Sequence, residues 1–429
     1  MPAPAWTRSS VDETVEAVNA LTARWAAEAM GGAGCPAGGT VFSAAGVWPL
    51  LAFLADAASG PARAELADAV GIPAEQAAGR AREFLTALGG LRGVDAALGL
   101  WTRRQLKVRE EWAARLPPHT HRKLTGWRAV DRRALDAWAA EHSNGRITRM
   151  PADLSGDTQL LLASALALAT RWIRPFTAEC AVPYSGPWDG RRLAGLSRTT
   201  SLLDRVGVAD TSAGHVTGLR VVGDRGIDVH LLLGEPDVPA GRVLAAGVDV
   251  LAGRRTLIPG DRLPPGEAGP GLTVEAVRNF YPVRPKLHVR TVAFDVAADH
   301  DLTAHADVFG LGSATGRSAG HFPGMTDKEV AVARARQSAT AAFTDRGFEA
   351  AVVTAFEMGE GSARMPEPTY VNTEVHASFH RPFGFLAVHR VSRLVLAAGW
   401  VTDPQPYREA AAWQAQRNGE DFPQVRKRK

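Results

Sequence analysis

The chain has 429 residues, of which 45% are hydrophobic and 22% are charged, and its formal net charge is +4. This composition is ordinary for a soluble globular protein, and a small charge excess that is spread along the chain does not indicate a nucleic-acid partner. No stretch reaches the ~20 consecutive apolar residues that cross a membrane, so no membrane partner is expected.

Helices are predicted mainly in the first part of the chain. A capping box at Ser10 and Glu13, followed by apolar residues three and four apart from Val15 to Trp25, predicts an amphipathic helix. Residues 40–43 predict a short strand, and the uniformly apolar run that follows predicts a buried helix. The predicted helices after residue 40 span 47–58, 60–70, 73–88 and 134–142.

Strands are predicted mainly in the second part. The apolar run 160–170 fits either a strand or a buried helix, because its pattern alone does not separate the two. Residues 216–222 and 227–233 flank Gly223-Asp224-Arg225-Gly226, which is a hairpin signal. The other predicted elements are strands at 94–101, 287–296 and 330–343 and a helical turn or two at 302–311.

Two apolar segments near the C-terminus, 379–388 and 394–401, predict a buried hairpin. Residues 347–355 before them are rich in Ala and Val, like a strand, yet they lead into a Gly, Glu and Pro segment without a core pattern. Helices early and strands late indicate an α+β fold. We expect one domain at 11–404, an N-terminal tail at 1–10 and a C-terminal extension at 405–429 that is disordered or helical.

No motif indicates catalysis. The chain lacks a phosphate-binding loop, a Gly-x-Ser-x-Gly elbow and a His-Glu-x-x-His sequence. The histidines do not pair with cysteines at zinc spacing, and His119, His121, His376 and His380 are expected to lie on loop or strand surfaces. We therefore expect no enzyme, no catalytic residue, no metal and no cofactor.

Five motifs follow one another along the chain. They are the 40–71 strand and helix, Trp138 with Ser143-Asn144-Gly145-Arg146, Arg171-Trp172-Ile173-Arg174-Pro175-Phe176, Phe322-Pro323-Gly324-Met325, and Pro382-Phe383 with Gly399, Val401 and Pro404. In this order and at nearly the right spacings, they resemble the motifs of the serpin family. The resemblance covers residues 11–404 and is that of a divergent, prokaryotic-looking member.

This resemblance implies a serpin fold of three β-sheets and eight or nine helices, with an exposed reactive-centre loop near the C-terminus. A protease cleaves the loop, whose N-terminal side then inserts as a new central strand in the largest sheet and traps the protease as an acyl-enzyme. The inserting segment needs short side chains at alternate positions, because successive side chains of a strand point to opposite faces.

The resemblance places the hinge of the reactive loop at Gly347, with Phe348, Ala350, Val352 and Thr354 as the inward-facing series. Phe348 is bulky for the first inward position, and forcing its ring under a packed sheet costs roughly 1–3 kcal/mol unless a matching cavity receives it. Both alternatives are open at the level of sequence. The full hinge segment is Gly347, Phe348, Glu349, Ala350, Ala351, Val352, Val353 and Thr354.

A sheet-opening region is also implied by the resemblance. Its residues are Ser43, Gly46, Ser164, Trp172 and Gln337. Ser43 is the residue that the family usually has, whereas Gly46, Ser164 and Gln337 replace a usual Ser, Asn and His. These departures, like Phe348, favour a chain that has lost inhibition.

The scissile bond is not assigned by counting. The loop is long, with 35 positions from Gly347 to Pro382. Counting forward from the hinge gives Gly361-Ser362, and counting back from Pro382 gives Val371-Asn372. Arg364-Met365 is the most attractive bait, because an Arg on an exposed loop suits a trypsin-like pocket.

The leading hypothesis is therefore a monomeric suicide inhibitor whose partner is a serine or cysteine protease. The alternative is a non-inhibitory serpin scaffold that binds a ligand or partner. We expect a cytoplasmic protein, since no secretory signal is seen, or an extracellular one only if another route exports it. The two cysteines, Cys35 and Cys180, are expected to be free thiols.

Overall fold

The computed structural model describes residues 8–31, 38–118, 120–142, 145, 159–316, 320–348 and 370–408. Within these ranges the chain forms eight α-helices and twenty β-strands, the helices mainly early and the strands mainly late. The α+β class expected from the sequence is therefore confirmed.

The helices show the burial that their sequences predict. Val18 and Trp25 are fully buried on one face of the first helix. Ser43 caps the second helix, and its side chain accepts a hydrogen bond from the backbone N–H of Gly46. Gly71 ends the third helix at a φ of 70°, a conformation that glycine adopts at little cost. The helices are α1 (Arg8–Ala29), α2 (Ala44–Ala57), α3 (Gly60–Val70), α4 (Ala74–Gly89), α5 (Glu110–Ala113), α6 (Arg128–His142), α7 (Ala240–Leu251) and α8 (Ala306–Phe309).

Three sheets and one short strand pair account for these strands. Sheet I contains, in spatial order, β1 (Thr40–Phe42), β20 (Val395–Val401), β19 (Phe383–His389), β10 (Ile227–Leu233), β9 (Gly214–Val221), β8 (Val206–Thr211) and β11 (Leu257–Pro259). Sheet II contains β12 (Gly266–Gly269), β13 (Leu272–Asn279), β18 (Tyr370–Ser378), β14 (Lys286–Val292), β7 (Leu193–Thr200) and β6 (Thr177–Ala181). Sheet III contains β15 (Phe294–Asp301), β16 (Arg334–Phe343), β4 (Leu160–Leu168), β2 (Val94–Arg103) and β3 (His121–Leu124). The separate pair is β17 (Gly347–Phe348) with β5 (Thr170–Arg171).

The C-terminal hairpin lies within sheet I, as the sequence predicts. β19 pairs antiparallel with β20 on one side and with β10 on the other. Every residue of β20 is buried. Near-continuous apolar sequence is the expected pattern for strands that are covered on both faces.

Two predicted strands have different bounds in the structure. The expected strand at 287–296 is interrupted at Ala293, where the chain leaves sheet II as β14 and enters sheet III as β15. The strand expected at 330–343 begins only at Arg334, and the ambiguous run 160–170 is a strand. Periodicity reports which residues are buried, but it does not report the sheet to which they belong.

The described part of the C-terminal extension is extended rather than helical. The backbone N–H of Ala194 donates to the carbonyl of Gln405 at 2.9 Å, and the N–H of Gln405 donates to the carbonyl of Ala293 at 2.9 Å. Residues 409–429 lie outside the described residues. In the portion of the chain that the structure describes, no helix has the length and apolarity that a membrane crossing needs.

Candidate functional site

Strands β4 and β16 in the middle of sheet III are paired over only part of their length. They run parallel, and their register joins residues 334–337 of β16 to residues 161–164 of β4. Among the described residues, no pair continues from 338–343 of β16 to 165–167 of β4. We call the space between these unpaired segments the slot.

A buried hydrogen-bond cluster lies at the closed end of the slot. The backbone N–H of Ser43 donates to Gln337 Oε1 at 2.8 Å, and Gln337 Nε2 donates to the Ser43 carbonyl at 2.8 Å. The hydroxyl of Ser43 donates to the carbonyl of Leu396 at 2.6 Å. These bonds join β16 of sheet III to the start of α2 and to β20 of sheet I.

The residues that replace the usual family ones fit each other here. A Cβ atom on Gly46 would lie 3.3 Å from Gln337 Nε2 and 3.4 Å from Ser164 Oγ. Gln337 Nε2 also lies 3.4 Å from Ser164 Oγ, so the long amide occupies space that Gly46 and the short Ser164 leave open. From the sequence these residues were separate departures from the family, but in the structure they form one packed cluster.

The hinge lies at the open end of the slot. Gly347 pairs with Arg171 and Phe348 pairs with Thr170, so β17 runs antiparallel to β5. Because β5 follows β4 after a single residue, the chain after Phe348 starts in the direction that a strand between β4 and β16 would take. A Cβ atom on Gly347 would lie 2.5 Å from the carbonyl oxygen of Thr170, so only glycine fits this approach.

Trp172 belongs to the hinge rather than to the Ser43 cluster with which the sequence grouped it. Its Nε1–H donates to the carbonyl of Thr344 at 2.9 Å, and its backbone N–H donates to the carbonyl of Arg346 at 2.8 Å. Thr344 in turn donates from its backbone N–H to the carbonyl of Gly347 at 2.9 Å. These bonds fix the turn between β16 and β17.

Phe348 is buried, with 3% of its surface exposed. Its ring centroid lies 6.1 Å from that of Phe385 in sheet I. The side chain therefore lies inside the fold in a molecule whose loop is not inserted. What its ring would meet within sheet III stays a prediction.

Sequence reasoning missed the polar groups that hold the hinge in place. The carboxylate of Asp224 accepts a hydrogen bond from the backbone N–H of Arg171 at 3.0 Å and lies 3.3 Å from Thr170 Oγ1. The hairpin signal around Gly223 marked a turn, but nothing in the sequence connected this turn to a hinge more than a hundred residues away.

A cationic side chain lies beside the hinge. Arg198 Nη1 donates to the carbonyl of Arg174 at 2.7 Å, and its guanidinium carbon lies 4.4 Å from the centre of the Phe176 ring. Burial, with smaller contributions from Arg174 and Arg205, lowers the pKa of Arg198 to about 10. The guanidinium of Arg198 therefore remains charged at neutral pH. Phe176, on which it lies, is joined to the hinge region, because its backbone N–H donates to the carbonyl of Asp345 at 2.7 Å.

Most of the predicted reactive loop lies outside the described residues. This holds for Glu349, Ala350, Ala351, Val352, Val353 and Thr354 of the hinge segment and for Gly361, Ser362, Arg364 and Met365 of the candidate scissile region. Val371 and Asn372, reached by counting back, lie in β18 and pair with Arg278 and Val277 of β13. A peptide bond held in a paired strand cannot enter a protease cleft, so the backward count does not give the scissile bond.

A separate pocket lies between α7 and sheet I. Its volume is about 190 Å³, and its walls combine apolar residues such as Leu232 and Leu251 with the cationic side chains of Arg205, Arg220 and Arg393. His230 also lines it, and burial lowers the pKa of this imidazole to about 4, so His230 is neutral at physiological pH.

Residues 18–183 match the family model described as serpin (serine protease inhibitor). No curated protein matches the chain.

Several solved structures resemble most of the chain. Human thyroxine-binding globulin complexed with thyroxine shares 16% identity at a TM-score of 0.67 and covers 92% of this chain and 98% of its own. Serpin48 from the insect Tenebrio molitor shares 16% identity at a TM-score of 0.69 and covers 93% of this chain and 100% of its own. Tengpin, a thermophilic serpin in the native state, shares 10% identity at a TM-score of 0.71 and covers 94% of this chain and 96% of its own. At these identities the likeness shows the fold.

Proposed function

Because the chain has the serpin fold and residues 18–183 match the serpin family model, we propose that it is a suicide inhibitor of a serine or cysteine protease. In this proposal a protease cleaves the loop within residues 349–369. The segment after Phe348 then enters the slot as a new strand of sheet III, and the protease stays attached as an acyl-enzyme.

The observation that carries this proposal is the position of the hinge at the mouth of the slot. β4 and β16 are held together by only four paired residues on each strand, so few hydrogen bonds oppose their separation. A strand placed between them would pair with the backbone groups of residues 338–343 and 165–167 that face the slot, which gives the insertion a driving force.

The burial of Phe348 supports the proposal further. Its ring already lies inside the fold, so insertion does not have to begin by forcing a bulky side chain under the sheet. The first inward position is thus filled before cleavage, and insertion would continue with Ala350, whose methyl group suits a packed sheet.

Incubation with a panel of trypsin-like, subtilisin-like and papain-like proteases tests the proposal. The expected result is a covalent complex that survives denaturing electrophoresis, formed once per molecule of inhibitor. Cleavage of the loop by every protease in the panel without any such complex would refute inhibition.

A pair of variants separates insertion from simple cleavage. Ala350→Arg puts a charge at a position that the alternation turns inward, where an unpaired buried charge is costly. Ala351→Arg puts the same charge at the neighbouring outward position. We expect the first variant to become a substrate and the second to form the complex like the unchanged protein.

A second candidate function is supported by the pocket lined by His230. Three arginines line an apolar cavity of about 190 Å³, and although Arg205 pairs with Asp204 and Arg220 with Asp228, the excess of positive charge would suit a small apolar anion. One structural relative is a thyroxine complex. In this alternative the chain is a non-inhibitory carrier, and the hinge stays where it is.

Melting after cleavage distinguishes the two functions. Insertion of the cut loop raises the melting temperature, whereas a carrier whose loop is cut melts as before. If the pocket binds a ligand, apolar carboxylates and phenolates, thyroxine among them, should raise the melting temperature of the uncut protein, and Gly218→Val, which fills the pocket, should abolish this effect.

A further inference from the structure

Three side chains with metal-binding groups meet on one face of sheet II, away from the slot. Glu374 and His376 are two residues apart on β18, so both point to the same face. His288 of β14 is the register partner of His376 across the parallel pair β14–β18. The fold thus brings together residues that are separated by more than 80 positions in the sequence.

The three groups are close enough to share an ion. The rings of His288 and His376 are stacked, with centroids 4.8 Å apart and planes 9° apart. His288 Nε2 lies 3.3 Å from Glu374 Oε2. One ligand atom from each of the three residues lies within 4.8 Å of the others.

The imidazole of His288 has an unsatisfied nitrogen that points into this cluster. Its Nδ1 lies 3.2 Å from the hydroxyl of Thr199, and its Nε2 is buried without a hydrogen bond of acceptable geometry to any described residue. If Nδ1–H donates to Thr199, the lone pair of Nε2 faces the carboxylate of Glu374. Two acceptors that face each other at 3.3 Å are stable only with a cation or a proton between them.

We propose that His288, Glu374 and His376 bind a first-row transition-metal dication, with Zn²⁺ as the best match. Two imidazoles and one carboxylate are typical zinc ligands, whereas Ca²⁺ and Mg²⁺ prefer oxygen ligands alone. A tetrahedral ion with bonds of about 2.0–2.2 Å brings its ligands to within roughly 3.5 Å of each other, so only small side-chain rotations are needed.

The neighbouring residues complete the site. A bond donated by His288 Nδ1–H to the Thr199 hydroxyl would hold His288 in the tautomer that binds through Nε2, which is the usual role of an outer-shell partner. Lys286 Nζ lies 3.2 Å from Glu374 Oε1, so it occupies one carboxylate oxygen and leaves Oε2 for the ion. Glu275 Oε2 of β13 lies 3.8 Å from His376 Nε2 and is within reach of the fourth position, which water would otherwise take.

The site would join two strands of sheet II. β18 follows the loop region 349–369 directly, so an ion shared by β14 and β18 would strengthen the attachment of the strand at the end of that loop. This inference does not depend on protease inhibition, because the geometry holds for an inhibitor and for a carrier alike.

Zinc titration of the full-length, tag-free, chelator-treated protein tests the proposal, with a chromophoric chelator as competitor. We expect one Zn²⁺ per chain and visible d–d absorption from Co²⁺ bound in its place. Glu374→Gln, His288→Ala and His376→Ala should each weaken binding by at least about tenfold, and Thr199→Val should weaken it by about tenfold through loss of the outer-shell bond. His215→Ala, which changes an exposed histidine of β9, should leave the affinity unchanged.

Melting curves without metal show that each variant is folded, and Zn²⁺ should raise the melting temperature of the unchanged protein more than that of Glu374→Gln. Two results would overturn the proposal. One is no binding by the unchanged protein, which would leave a simple hydrogen bond between His288 and Glu374. The other is equal affinity in the ligand variants, which would place the ion elsewhere.

Discussion

Gln337 bonds to both backbone polar groups of Ser43, accepting from its N–H and donating to its carbonyl, each at 2.8 Å. All of these atoms are buried, and the two residues are far apart in the sequence. A side-chain amide thus replaces two backbone partners at the point where α2, sheet I and sheet III meet. The slot ends where this bond pair begins.

Gln337→Leu should therefore destabilise the protein. The substitution keeps a similar volume but leaves the Ser43 N–H and carbonyl buried without partners, which we expect to lower the free energy of unfolding by roughly 3 kcal/mol. Urea denaturation measures the change. Gln76→Leu on the exposed face of α4 is the matched control and should change stability by less than about 0.5 kcal/mol. An equal effect of both variants would contradict the role given to Gln337.

Gly347→Ala should displace the hinge. The added methyl group would lie 2.5 Å from the carbonyl oxygen of Thr170, so the pairing of β17 with β5 must open. We expect a loss of about 1–3 kcal/mol and faster amide exchange at Arg171 and Trp172, measured by hydrogen–deuterium exchange. Gly79→Ala, at an exposed helical glycine with free space around its Cα, should be neutral or stabilising. Unchanged exchange near the hinge would show that β17 does not depend on this glycine.

Arg390→Ala should cost far more than the loss of a surface ion pair. Arg390 bonds to both oxygens of Asp228, which is 1% exposed, and this hydrogen bonding raises the pKa of Arg390. Removal of the guanidinium leaves a buried carboxylate with Arg220 as its remaining ion-pair partner, which we expect to cost roughly 3 kcal/mol. Arg191→Ala removes the exposed pair with Asp403 and should cost less than about 1 kcal/mol. Thermal unfolding compares the two, and similar costs would contradict the difference in burial.

The protein should lose stability as the pH falls from about 6.5 to about 4. Burial, with contributions from Arg220 and Arg393 against the opposing charge of Asp228, lowers the pKa of His230 to about 4, whereas an unfolded histidine titrates near 6.5. Between these values the unfolded state binds a proton that the folded state does not bind. This protonation stabilises the unfolded state relative to the folded state by at most roughly 3 kcal/mol. The contribution of His230 to the free energy of unfolding is constant above about pH 7 and again below about pH 4.

His230→Gln tests this assignment. Its urea midpoint should fall less steeply with pH than that of the unchanged protein, while His215→Gln, which alters an exposed histidine, should keep the original slope. A pH dependence that is identical in all three proteins would exclude His230 as the titrating group.

Much of the fold could be predicted from local patterns. The spacing of Val18 and Trp25 gave one buried face of α1, and the apolar runs around Phe385 and Leu396 gave the C-terminal hairpin. These predictions succeed because burial imposes a period of 3.6 on a helix and fills both faces of a covered strand. The family motifs then provided the number of sheets and the place of the loop, which periodicity alone does not contain.

The fit between distant residues could not be predicted in this way. Gly46 and Gln337 each looked like a loss relative to the family, and only their contact shows that one makes room for the other. The same holds for His288 and His376, which become neighbours through the register of two strands. Residues 266–279 gave no clear element in the sequence, although they form the hairpin β12–β13 that covers the outer edge of β18.

The position of β18 between β13 and β14 affects what a cut in the loop would do. The segment from residue 370 onward supplies β18 to the interior of sheet II and β19 and β20 to the interior of sheet I. A molecule nicked within residues 349–369 would therefore remain a single particle in solution, with two polypeptides that share the same sheets. Size-exclusion chromatography would not register the nick, and only a denaturant would release the smaller peptide.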